Sequence, residues 1–217
     1  MDFMSPRTKL QKFIQVNQMK TVIEHTDSGA PQKLKKFLNS KKETILEVAC
    51  GKGEYSVALA KLYSKKQIIG IDYQGERLWY GAEKIKENKL KNILFLRAKV
   101  EFLEKFFKPE SIDEIWITFP DPHPKDKRGH KRLISPHFLQ LYKKLLKPNH
   151  TIHLKTDSEL LIDKAIEAID EVHGKIQLLI KDIDHFVNLP EILAIKTTYE
   201  KIHRAKGDKI NYLKFKL

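Results

Sequence analysis

The residues best suited to chemistry lie mid-chain, in Phe119-Pro120-Asp121-Pro122-His123-Pro124-Lys125. Each proline fixes its own φ and restricts the residue before it. The one carboxylate among them, Asp121, is thereby held in place, as a group must be to orient a substrate or stabilise developing positive charge. Immediately downstream, Lys125, Lys127, Arg128, Gly129, His130, Lys131 and Arg132 form a basic run. Such a run repels itself unless an anion meets it. It reads either as a solvated face or as a grip on a phosphate backbone, and its place on a loop after a strand favours the grip. A second candidate is the glycine turn in Leu46-Glu47-Val48-Ala49-Cys50-Gly51-Lys52-Gly53. Small residues there let a ligand approach the backbone, and the amides of a following helix point outward. The turn lacks the G-x-G-x-x-G of dinucleotide sites, because Ser56 stands at the third glycine position, and no G-K-[ST] is present to grip a phosphate.

These residues need strand ends to hold them, and from Thr44 the pattern supplies strands and helices in alternation. Ile45–Val48 reads as a strand, Tyr55–Leu62 as a helix, Gln67–Ile71 as a strand and Glu76–Asn88 as a helix. Ile93–Leu96 and Ile112–Phe119 follow as strands. Beyond the polar stretch 121–132, a helix runs from Pro136 to Leu146 and is stopped by Pro148, with a strand over Thr151–Leu154. Ser158 is placed to cap an amphipathic helix carrying Leu161, Ala165 and Ile169 on one side. Lys175–Ile180 and Ile210–Phe215 are dense in β-branched or aromatic residues and read as late strands. The alternation predicts an α/β fold, a mostly parallel seven-stranded sheet with helices on both faces and a ligand site at the carboxyl ends of the strands. Residues 1–40 read as an N-terminal basic arm and lead-in helix, and 41–217 as a single domain.

Composition narrows the class. The chain has 217 residues, 41% hydrophobic and 32% charged, with no apolar run near the ~20 residues that a membrane-spanning helix needs. Lys and Arg total 41 against 28 Asp and Glu, a net charge of +13, which implies an acidic partner and nucleic acid first. The single cysteine, Cys50, excludes an internal disulfide and a thiolate zinc site and reads as a small buried filler. His25, His137, His150, His173, His185 and His203 are not grouped at metal-ligand spacing, so no metal is expected. Trp79 and Trp116 fall in an expected helix and strand, where packing explains them. Without a signal-like apolar stretch near Met1, the expected location is cytoplasmic, and nothing in the sequence requires a protein partner.

Two resemblances sharpen the reading. The loop Glu47–Gly53 resembles the E-x-G-x-G-x-G of class I S-adenosylmethionine-dependent methyltransferases, with Ala49 at the first glycine. Asp121-Pro122-His123-Pro124-Lys125 through Arg132-Leu133 resembles D-P-W-P-K-x-[KR]-H-x-K-R-R-L of the bacterial tRNA (guanine-N7)-methyltransferases. His153-Leu154-Lys155-Thr156-Asp157 resembles that family's h-x-K-T-D, and Thr197-Thr198-Tyr199-Glu200 its T-x-Y-E. The resemblance covers residues 44–217. It departs at His123, where the family has tryptophan, and at Lys99, where such enzymes present an acid to the adenine.

The resemblance implies a Rossmann-like enzyme that uses S-adenosyl-L-methionine to methylate N7 of a guanine in the variable loop of tRNA. Glu47, Gly51, Gly53, Asp72, Lys99, Val100 and Asp121 would hold the cofactor. Asp72, about 20 residues past the glycine loop, would accept from the ribose hydroxyls, and the backbone near Val100 would read the adenine. Asp121 would be the catalytic group, stabilising the charge that grows on the purine. Lys125, Asp157, Thr197, Thr198, Tyr199 and Glu200 would bind the substrate, with carboxylates accepting from guanine N1–H and its exocyclic amine. Lys127, Arg128, Gly129, His130, Lys131 and Arg132 would contact RNA. A non-catalytic RNA-binding module that keeps the fold is the main alternative. An adenine-N6 enzyme fits less well, because Pro120-Asp121-Pro122-His123 lacks the paired prolines of [ND]-P-P-[FYW].

Overall fold

The computed structural model describes residues 6–217, so the first five residues of the expected arm lie outside the described residues. The chain divides into two compact units, one ending at Phe106 and the other beginning at Phe107.

The first unit runs α1 (Pro6–Val16), β1 (Val22–Glu24), α2 (Ala30–Phe37), β2 (Thr44–Val48), α3 (Glu54–Leu62), β3 (Gln67–Asp72), α4 (Gly75–Glu87) and β4 (Ile93–Arg97), followed by a 3₁₀ segment, Val100–Lys105. Its strands lie in the order β1-β4-β3-β2 and all pair in parallel. Parallel neighbours need crossovers, which α3 and α4 provide. β2 and β3 are buried along their whole lengths, so they read as continuous apolar runs and not as alternating ones. Glu47 and Asp72 are the acids that break those runs, each one residue from, or at, a strand's carboxyl end. Phe95 on β4 is fully buried, and its ring fills the space that a Cβ at Gly53, Gly70 or Gly81 would need.

The second unit runs β5 (Ile112–Thr118), a 3₁₀ segment Asp126–Lys131, α5 (Pro136–Leu145), β6 (Leu146–Thr156), α6 (Glu159–Glu171), β7 (Lys175–Ile180), a short 3₁₀ turn Ile183–His185, α7 (Glu191–Ala194), α8 (Thr198–Ala205) and β8 (Asn211–Lys216). The strand order is β5-β6-β8-β7, with β5 and β6 parallel and β8 antiparallel to both its neighbours. The Ser158 hydroxyl accepts from the Leu161 amide at 3.3 Å, which caps α6 as expected.

Three features differ from the sequence reading. There are eight strands among the described residues, four in each unit, and not seven. The extra one, β1, is three residues long, too short for alternation to register, and residues read as an arm thus pair in parallel with β4. β6 begins at Leu146 and not at Thr151. Leu146 is extended and pairs with Ile112, and the register then shifts so that Thr151 faces Glu114. That irregularity accommodates Pro148 and Asn149, the latter at φ 64°. Finally, neither α7 nor α8 was foreseen as a helix.

Candidate active site

In the first unit the glycine turn is built by backbone geometry. Ala49, Gly51 and Gly53 all take positive φ, at 54°, 57° and 68°. The family's glycine at the Ala49 position thus has a physical cause, and this chain accepts left-handed strain of about 1–2 kcal/mol there. Gly53 is required twice over, by its φ and by the Phe95 ring. A Cβ at Gly51 would meet nothing within 4 Å, so open space lies over the turn at that point.

Asp72 ties the turn together. It is 8% exposed; its Oδ2 accepts from the Gly51 amide at 2.8 Å and its Oδ1 from the Gln74 amide at 2.8 Å. Burial pushes its carboxyl above the ordinary value, against the pull of those two amides. The carboxylate offers about four lone-pair positions, so capping the turn and accepting from a ribose are compatible. Glu47 is 1% exposed and its carboxylate takes the Ser56 hydroxyl; it braces the turn from beneath. Cys50 is buried, as expected of a filler, and burial raises its thiol well above the usual range. Lys99 is exposed, with its ammonium 5.4 Å from the Tyr73 ring. Val100 is buried at the start of the 3₁₀ segment. Tyr73 was missed in the sequence. It follows Asp72 directly and is 47% exposed, and an exposed aromatic beside an acid at a strand end was the signal.

The second unit carries the rest. Phe119 and His123 sit at positive φ, 49° and 41°, so the Asp121 loop is sharply bent as well as proline-stiffened. Its carboxylate is exposed and Oδ1 accepts from the His123 amide at 3.0 Å. The Phe119 amide bonds to the Lys155 carbonyl at 2.8 Å. Lys125, Lys127, Arg128, His130 and Lys131 are exposed and Gly129 half-buried. Arg132 differs from the rest of the run. It is buried, donating through Nε to the Pro122 carbonyl at 3.1 Å and through Nη2 to the His123 carbonyl at 2.9 Å. Its guanidinium is a strut for the Asp121 loop.

Glu200 is likewise drawn inward. It is fully buried, with Oε2 2.8 Å from the Lys155 ammonium and Oε1 2.9 Å from the Arg204 guanidinium. The Thr197 hydroxyl accepts from the Glu200 amide at 3.1 Å, and the Glu200 carboxylate takes the Thr197 amide in return. This reciprocal pair is a capping box, so T-x-Y-E is in large part the start signal of α8. Thr197 is thereby an N-cap and Glu200 a buried anchor, leaving Thr198 and Tyr199 as the exposed members.

Lys155 was not singled out from its motif. It has no exposed surface, and its ammonium also donates to the carbonyls of Leu193 at 3.0 Å and Ile195 at 2.7 Å. Burial pulls it down to about 8, against the opposing pull of Glu200. Asp157, at the carboxyl end of β6, lies 3.0 Å from His203 Nδ1, and Asp208 lies 2.8 Å from the same nitrogen. The ligand atoms of this trio fall within 4.8 Å of one another. Spacing in the chain hid that grouping, in which His203 hydrogen-bonds Asp208 and lies against Asp157. Trp116 is fully buried and stacks on His153 at 4.2 Å, a packing role as expected.

A family model described as "Putative methyltransferase" matches residues 41–213. A tRNA (guanine-N(7)-)-methyltransferase of Bacteroides thetaiotaomicron is 35% identical over 219 residues, covering 97% of this chain and 86% of that one. The chain belongs to the tRNA (guanine-N7)-methyltransferase family. Further members are similar at 37% identity in Christiangramia forsetii, covering 99% of this chain and 100% of that one, and at 39% in Porphyromonas gingivalis, covering 90% and 81%. Among solved structures, the 16S rRNA methyltransferase KamB aligns with a TM-score of 0.63 at 16% identity, covering 88% of this chain and 94% of that one. A SAM-dependent methyltransferase from Aquifex aeolicus aligns with a TM-score of 0.55 at 17% identity, covering 94% and 97%. These likenesses show the fold, the Rossmann-like class I methyltransferase architecture that the family's sequence motifs implied. No helix among the described residues is long and apolar enough to cross a membrane.

Proposed function

We propose that the protein transfers the methyl group of S-adenosyl-L-methionine to N7 of a guanine in the variable loop of tRNA, with residues 41–217 acting as one catalytic domain in the cytoplasm. Membership of the family carries the proposal. The first unit suits the cofactor: the turn at Gly51 opens onto free space, and no phosphate-gripping sequence competes for it. Asp72, with lone pairs to spare, would take the ribose, Tyr73 and the Val100 backbone would flank the adenine, and Glu47 would hold the turn in shape. When bound, the cofactor supplies a methyl group activated by its sulfonium.

Guanine N7 has a lone pair and no proton, so no general base is needed. The residues of this chain must therefore orient the base and stabilise charge. Asp121, on a loop bent at Phe119 and strutted by Arg132, would face the positive charge that methylation leaves on the purine. Asp157, Thr198 and Tyr199 would read the base edge, and Lys125, Lys127, Arg128, His130 and Lys131 would hold phosphates. The test is mass-spectrometric nucleoside analysis of tRNA incubated with the protein and methyl-labelled cofactor. Labelled 7-methylguanosine is expected, falling about 100-fold in rate for Asp121→Asn with the fold intact. Absence of labelled 7-methylguanosine overturns the proposal.

A further inference from the structure

Asp157 is met by two side chains from α8. His203 Nδ1 lies 3.0 Å from Asp157 Oδ2, and the Tyr199 hydroxyl lies 3.5 Å from the same oxygen. Tyr199 and His203 are one helical turn apart, which puts them on one face, and their rings stack with centroids 4.1 Å apart at 20°. Asp208 Oδ2 lies 2.8 Å from that same nitrogen, so Nδ1 sits between the two carboxylates. A carboxylate cannot donate, so a nitrogen placed between two of them carries the hydrogen. His203 thus presents its one Nδ1–H between Asp208, its hydrogen-bond partner, and Asp157, from a ring that is fixed by its stack on Tyr199. The other oxygen of Asp157 has no partner among the described residues.

We infer that His203 is a positioning and specificity-determining residue, holding Asp157 in the one rotamer that reads the target guanine. The inference rests on the function proposed above. Guanine offers two donors on one edge, N1–H and the exocyclic amine, and a carboxylate can accept both only when its plane is aligned with them. A freely rotating Asp157 would still meet the base but would distinguish it poorly. Hydrogen-bonding sites reject analogues that lack a donor because a buried acceptor is then left unpaired. That discrimination depends on the acceptor being held still.

The experiment compares tRNA transcripts carrying guanosine or inosine at the methylated position. Inosine keeps N7 and N1–H but lacks the amine. Wild-type protein should prefer guanosine by about 10-fold or more in kcat/KM. His203→Phe keeps a ring to stack on Tyr199 and removes the donor, and His203→Gln displaces the donor towards the Nε2 position. Both should lose most of that preference, chiefly by slowing on guanosine. His203→Asn, whose amide sits near the Nδ1 position, should retain it. Thermal midpoints and cofactor affinity should stay near wild type in all three, which separates positioning from folding. If wild type methylates guanosine and the Phe and Gln variants keep the guanosine-to-inosine ratio, the inference is overturned. Equal loss in the Asn variant also overturns it, since the donor would then not be the cause. No product from wild type on either transcript would sink the proposed function and this inference together.

Discussion

Lys155 offers the sharpest test of how the second unit is held together. Replacing it with Met keeps the length and apolar stem of the side chain and removes the ammonium. Three acceptors lose their donor: the carbonyls of Leu193 and Ile195 and one oxygen of Glu200. Removing one partner of a buried pair costs about 3–5 kcal/mol. Here Glu200 retains Arg204 and the Thr197 amide, and the ammonium's own burial cost is removed with it, so the lower end, about 3 kcal/mol, applies. For a chain of this size that corresponds to a fall of roughly 6–12 °C in thermal midpoint. The loss should fall on the 193–204 segment, which carries Tyr199 and His203. Apparent tRNA affinity should therefore drop while cofactor affinity, assigned above to the first unit as a proposal, holds. Lys155→Met combined with Glu200→Gln should recover part of the stability. The pH dependence has a definite sign. The folded pKa is about 8 against an ordinary 10.5, so between those values the unfolded chain holds a proton that the folded chain does not. Wild-type stability should rise relative to the Met variant as pH climbs through that window, by up to roughly 3 kcal/mol. The readout is a set of urea denaturation midpoints at pH 7 and pH 10. A thermal midpoint within 2 °C of wild type at pH 7, or a flat difference between the two pH values, would refute the reasoning.

Gly53→Ala should abolish cofactor binding and destabilise by more than about 2 kcal/mol, because φ strain adds to a collision with Phe95, whereas Gly51→Ala should cost only the left-handed strain of about 1–2 kcal/mol. Thermal melts and calorimetry with the cofactor separate the two, and equal effects would contradict the steric account. Lys127→Ala should make the log–log salt dependence of tRNA affinity shallower by about one unit, while Arg132→Ala should leave that slope alone and lower turnover through the loosened Asp121 loop. A slope change with Arg132→Ala would return that residue to the RNA interface. Asp72→Asn removes a charged acceptor from the Gly51 and Gln74 amides, so both thermal midpoint and cofactor affinity should fall, the latter by roughly 1–3 kcal/mol in a titration. A fall in stability alone would confine Asp72 to the turn.

The sequence by itself determined the order of the strands from Thr44 onward and of the helices as far as α6, because buried parallel strands are continuous apolar runs and their crossover helices repeat at a different period. It also singled out the glycine turn, Asp72 and the proline-bound Asp121, whose chemistry is local: backbone φ, ring constraint and a place at the end of a strand. β1 escaped because three residues cannot show a period, and α8 escaped because its capping box looked like a recognition motif. Tertiary structure alone decided which charged side chains face outward. Arg132 and Lys131 are neighbours in one basic run, yet the first is buried against loop carbonyls and the second is exposed. Lys155 and Glu200 are 45 residues apart and become one buried ion pair, while Asp157, His203 and Asp208 become one cluster. Charge and residue type are properties of the chain. Whether a charge meets solvent, a substrate or a buried partner depends on contacts between distant segments, which no local pattern encodes.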